Sequence, residues 1–203
     1  MLTSKLIRWS GLACMVGGLL HGVSRVILAA LGLNLPESAS KGTRGAWVIW
    51  WTLLVISFML IQLGLAGLYA SQAQGTRGAG LIGFLLASIG TTLAAGVGYT
   101  SAFAVPSVMK EAPALPSFVE ISPFFEVQLL SYLVFALGWC LLGIATVRAR
   151  VLPRWAGVLL TVGGVLSLAP WAVIGPVVLG LALVWMGYTL WSGTSEVAGQ
   201  SGE

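Results

Sequence analysis

His21 and Arg25 stand one helical turn apart inside the first long apolar run of this chain. A guanidinium is a permanent cation suited to a carboxylate or phosphate, and an imidazole can donate or accept a proton. The other formal charges all lie at or near the ends of apolar stretches, so this pair is where buried polar chemistry can occur. Helical spacing puts Cys14, Gly18, His21, Gly22 and Arg25 on one stripe, with Leu12, Val16, Leu19, Val23 and Val26 away from it. The polar stripe should face neighbouring helices and the aliphatic one lipid.

Measured from an interfacial anchor at Trp9, His21 lies about 18 Å along the helix and Arg25 about 24 Å, at ~1.5 Å per residue. Two arrangements suit that depth. In one, the pair lines an outward-opening pocket where Arg25 binds an anionic group, a lipid headgroup or a carboxylate, and His21 handles a proton. In the other, Arg25 snorkels to the outer headgroups and His21 hydrogen-bonds a neighbouring helix. Glu126, in the first turn of the fourth apolar segment, is the obvious partner for Arg25, although a carboxylate there also suits the helix macrodipole alone. The polar face of that segment continues through Gln128, Ser131 and Tyr132. Glu126 is about 200° around the helix from Gln128, so both cannot face the core fully. The candidate ligand-binding set is His21, Arg25, Glu126, Gln128 and Tyr132.

Other chemistries lack their residues. The chain has no aspartate, and its six acidic residues are glutamates at helix ends, in loops or in the tail. Metal-dependent phosphoryl or prenyl transfer needs clustered carboxylates. One histidine cannot supply paired haem or zinc ligands. No G-x-S-x-G elbow is present, and no carboxylate near His21 in sequence could orient it. No metal and no cofactor is expected. Cys14 and Cys140 read as small apolar packing residues.

The elements that must position the pair follow from composition. Apolar residues make up 58% of the 203, charged residues 8%, and mean hydropathy is +0.97. A soluble domain commonly devotes about a quarter of its residues to charge, whereas about 20 apolar residues suffice to cross a bilayer. Segments 6–33, 46–71, 78–104, 124–147, 154–170 and 172–192 meet that length. The reading is an all-α polytopic transmembrane bundle, six helices as three α-hairpins, forming one domain over 1–193 with a disordered cytoplasmic tail at 194–203. Lys5 and Arg8 precede a run too long for a secretory signal, so the first helix is read as retained.

Lys5, Arg8, Arg77, Arg148, Arg150 and Arg154 flank one side of these segments, and Lys41, Arg44 and Lys110 the other. That bias puts both termini in the cytoplasm. Trp9, Trp155 and Trp191 then form an inner aromatic belt, and Trp47, Trp50, Trp51 and Trp171 an outer one. The net charge of +4 is explained by topology and implies no nucleic acid. Pro106, Pro113, Pro116 and Pro123 argue against a regular helix through 105–123, and Pro170 and Pro176 mark a break between the last two helices.

Arg8-Trp9-Ser10-Gly11 followed by Val16-Gly17-Gly18-Leu19-Leu20 recurs as Arg154-Trp155-Ala156-Gly157 and Val162-Gly163-Gly164-Val165-Leu166, with seven identities. Either an internal repeat of hairpins underlies this, or close helix packing and Arg-Trp anchoring were met twice by the same residues. Gly83, Ala87, Gly90, Ala94 and Gly98 form a small-residue seam that nominates the third helix as the most central.

Leu65–Leu93, Leu142–Leu166 and Gly187-Tyr188-Thr189-Leu190-Trp191 resemble a loose group of bacterial six-helix integral membrane proteins of unknown function, most specifically through V-L-P-R-W-A-G at 151–157. The resemblance implies a bacterial inner membrane and a six-helix bundle, and no activity. The group's pattern has a histidine near the start of the second helix, where this chain has Trp47, Trp50 and Trp51. The functional expectation is a non-catalytic multi-pass protein that binds a lipid-like ligand or packs with a membrane partner, another protein or a second copy. A small transporter and a lipid-modifying enzyme using His21 are the alternatives.

Overall fold

A computed structural model describes residues 2–32, 44–111, 124–169 and 173–193. The tail at 194–203, Trp171, Lys41 and Pro113, Pro116, Pro123 and Pro170 lie outside them. The described residues are helical, with no strand. Helix α1 is Leu2–Ala30. Helical hydrogen bonding then runs unbroken over Arg44–Tyr99, but this is not one rod. Tyr69 stacks on Phe84 at 4.6 Å between ring centroids, and the Trp47 indole N–H reaches the Ser101 carbonyl oxygen at 2.6 Å. The chain has folded back on itself between two apolar limbs, α2 (Arg44–Ala73) and α3 (Gly78–Val108). Keeping the turn helical leaves few backbone polar groups open. α4 (Phe124–Ala149), α5 (Arg154–Leu166) and α6 (Ile174–Ser192) complete the chain.

Five of these helices, all but α5, are long and apolar enough to cross a membrane. With 13 residues α5 extends about 20 Å, short of a bilayer core of roughly 30 Å. The sequence reading carried this helix to residue 170. It stops at Leu166 because Pro170 would remove a helical N–H and restricts the residue before it. The last carbonyls of α5 are closed by the Ser167, Leu168 and Ala169 amides. The break between the fifth and sixth helices is where the prolines put it, with Pro176 tolerated in the first turn of α6.

Trp9 meets Trp191 edge-on at 6.0 Å, and the Arg8 guanidinium lies 5.3 Å from the Trp191 ring, so the first and last helices share one face of the bundle. α1 packs on α2 and α6, and α4 packs on α5 and against the α2–α3 limbs, closing a ring. Phe58 of α2 and Phe135 of α4 meet across its middle at 6.1 Å. Gly193 (φ +71) and Gly32 (φ +64) follow α6 and α1 in the left-handed conformation that stops a helix. Arg150 takes the same conformation after α4 (φ +57), at a cost of roughly 1–2 kcal/mol for a residue with a β-carbon.

Three expectations need correction. α3 is not the most central helix: 39% of its apolar window is buried, against 56% for α6. Its seam serves one side, with Gly83 and Gly90 against α4 and Gly98 toward Val55 of α2, while Leu81, Ile82, Leu85 and Ile89 are exposed. Trp47 and Trp51 are not belt residues but core, their rings tilted against each other at 5.6 Å. Helical structure also continues past residue 105, through a π-helical stretch Thr100–Ala104 into Val105–Glu111.

These last two corrections share a cause. Val105 N–H bonds the Thr100 oxygen, and Pro106 has no N–H to offer the Ser101 oxygen. The vacated carbonyl accepts from Trp47, which therefore turns inward.

Candidate functional site

α1 carries the polar pair on its buried face. Val16, Leu19, Val23 and Val26 are exposed, whereas Cys14, Gly18, His21, Ser24, Arg25 and Leu28 are buried. Arg25 is only 7% exposed and His21 3%, which is the inward arrangement rather than the snorkelling one. Gly18 makes this possible from the α6 side. A β-carbon there would come within 2.7 Å of the Gly180 carbonyl oxygen, so only glycine lets the two backbones approach as they do.

His21, Arg25, Leu54, Phe58, Tyr132, Phe135, Ser167 and Pro176 enclose a cavity of about 20 Å³. That is room for one water molecule. Its apolar wall is part of an aromatic series: His21 on Phe58 at 5.0 Å, Phe58 on Phe135, and Phe135 on Trp139 at 6.0 Å. Trp139 is fixed in turn by donating its N–H to Thr91 Oγ1 at 3.2 Å. Toward the face shared by the first and last helices, apolar side chains fill the core directly below the cavity, with the buried Gln72 and Thr146 beyond them. Ile61, Leu65, Leu142, Leu160, Leu183 and Met186 are fully buried there.

The imidazole is oriented by Ser57. That hydroxyl donates its proton to the Leu54 carbonyl oxygen at 2.6 Å, so toward His21 Nδ1, 3.4 Å away, it can only accept. That contact is met by the tautomer with its proton on Nδ1, which presents Nε2 as an acceptor. The contact is long for a hydrogen bond and holds the ring loosely. Ser24, between the pair on the same face, has a fully buried hydroxyl with no hydrogen-bond partner among the described residues.

Of the five residues nominated from sequence, three come together: His21, Arg25 and Tyr132 line the cavity. Glu126 is exposed and Gln128 half-buried, and neither lines it. The sequence reading missed Ser57, Ser167 and Pro176. A signal for Ser167 was present, because the repeat aligns it with His21 at the same offset as Arg154 with Arg8. Among the other polar residues, the Gln62 amide bridges to Ser88, and Thr92 Oγ1 donates to its own helix at Ser88 O. Cys14 and Cys140 are free thiols directed at the Leu183 and Thr161 carbonyl oxygens.

Among the described residues no group of three or more histidine, cysteine or acidic side chains could hold a metal ion. No family model matches this chain, and no curated protein and no solved structure is similar to it.

Proposed function

We propose that this multi-pass membrane protein is non-catalytic and that its His21–Arg25 cavity receives the anionic end of a lipid-like ligand. The inward Arg25 carries the reading. Its side chain lines a cavity with His21, Tyr132 and Ser167 instead of lying on the exposed stripe of α1. A buried guanidinium is retained at a cost of at least ~2.5–3.5 kcal/mol on insertion scales, and such residues usually mark a functional site. The cavity size limits what enters: one carboxylate or phosphate oxygen can replace a water, and the bulk of the ligand stays outside.

The alternatives have less support. A transporter needs a continuous polar path, and fully buried Ile61, Leu65 and Leu142 stand between His21 and the buried Gln72 and Thr146. A lipid-modifying enzyme needs a group that orients the imidazole firmly, and a serine at 3.4 Å is a weak one. The charge bias and the resemblance to six-helix proteins support a bacterial inner membrane with both termini cytoplasmic.

The test is native mass spectrometry on the full chain released from mild detergent. The wild type should carry more bound anionic amphiphile than Arg25→Leu, with Arg25→Lys between the two. Equal retention on Arg25→Leu would refute the reading.

A further inference from the structure

On the face shared by the first and last helices, the surface of α4 and α5 forms an apolar groove of about 290 Å³ along their contact. Ile144, Val147, Val158 and Val162 line it, together with Thr161 and Arg148. Ile144, Val158 and Val162 are exposed, so the groove opens on the surface that meets acyl chains. At its end the tight turn between the helices carries Arg148, Arg150 and Arg154, all exposed, beside Trp155 at 72% exposure. The groove therefore joins an acyl-chain environment to a concentrated positive charge at headgroup level.

Arg150 adds an independent observation. Its backbone is left-handed, a conformation that every other such position among the described residues gives to glycine. Backbone preference asks for glycine at the end of α4, and the chain places a cation there.

We propose that this groove and turn bind an anionic phospholipid. One acyl chain lies in the furrow along α4 and α5 against Val147, Val158 and Val162. Arg148 and Arg154 hold the phosphate, Arg150 raises the local potential, and Trp155 packs at the glycerol level. The site is at the opposite end of the bundle from His21 and Arg25 and does not depend on them.

The experiment titrates phosphatidylglycerol or phosphatidylcholine of matched chains into the full-length protein and counts bound lipid by native mass spectrometry. The wild type should prefer phosphatidylglycerol by about tenfold or more. R148Q/R154Q should lower that preference to what the Arg25 cavity contributes, while both lipids still bind. Val158→Trp, which fills the groove, should reduce both. Arg150→Gly separates lipid binding from fold: it should raise the melting temperature yet lower the phosphatidylglycerol preference. No preference in the wild type, or an unaltered preference in R148Q/R154Q, would overturn the assignment.

Discussion

In the first hairpin, Gly17 lets α1 lie against Ile61 of α2; in the third, Gly163 lets α5 lie against Leu179 of α6. A β-carbon would come within 2.9 Å of the Ile61 amide nitrogen in one case and 2.7 Å of the Leu179 nitrogen in the other. The next glycine in each copy faces the other neighbour in the ring: Gly18 meets Gly180 of α6, and Gly164 meets Cys140 of α4. Gly11 and Gly157 do likewise, against Gly187 and Gly143. The repeated residues thus perform the same packing at equivalent places. The two hairpins differ in the length of their leading helix, 29 residues in α1 and 13 in α5. α5 stops at the level where α1 carries its imidazole and guanidinium, and Ser167 lines the cavity beside His21. One packing pattern sets the helix separations, and its interrupted copy leaves room for polar side chains within an apolar bundle.

The strongest way to break this comparison is to burden both copies equally. Gly17→Val and Gly163→Val each push a branched side chain into a neighbouring backbone that cannot rotate away. Each should cost about 3 kcal/mol or more, the upper end of overpacking penalties. Reversible unfolding in mixed micelles would measure it. If one substitution were tolerated and the other not, the equivalence of the two glycines would fail.

A smaller effect probes the interrupted copy. The Ser167 hydroxyl donates only to the Gly163 carbonyl oxygen of its own helix, at 2.7 Å. Ser167→Ala should therefore change stability by less than about 1 kcal/mol. Ser167→Phe demands far more than the 20 Å³ available and should cost about 1–3 kcal/mol. It should also displace the anionic adduct attributed to Arg25. Equal stability and adduct retention in both variants would show that the space beside His21 is not confined as described.

Much of the fold was legible because lipid as solvent leaves a chain few options. Apolar length located all six helices, and helical spacing separated the buried face of α1 from its exposed one. What escaped was whatever depended on a single missing hydrogen. Pro106 lies outside α2, yet by vacating the Ser101 oxygen it turned Trp47 from an interfacial anchor into core. Pro170 likewise shortened α5, a matter of a few residues that decides where the cavity is. At the site, Arg25 and His21 declared themselves by being polar at that depth. Glu126 is exposed and does not line the cavity, because helical phase and not residue type decides which side of α4 faces inward. Ser57 carried no distinguishing signal, since serines bonding their own helix occur throughout this bundle.

The mildest test compares two glycines one turn apart on α1. A β-carbon at Gly18 would meet the Gly180 oxygen at 2.7 Å, a backbone atom that must shift to make room. At Gly22 the nearest neighbour would be the Val177 α-carbon at 3.7 Å, an ordinary contact. α6 therefore diverges from α1 as the cavity level is approached, and the apolar groove between them, about 240 Å³, opens beside Gly22. Gly18→Ala should cost about 1–3 kcal/mol. Gly22→Ala fills open volume and improves helix propensity, worth at most about 1 kcal/mol, so it should be neutral or slightly stabilising. Unfolding measurements on the two single variants decide the matter. Destabilisation by Gly22→Ala comparable to that of Gly18→Ala would mean that α1 and α6 stay in tight contact up to Arg25, and that the shortened α5 alone makes the room the polar pair occupies.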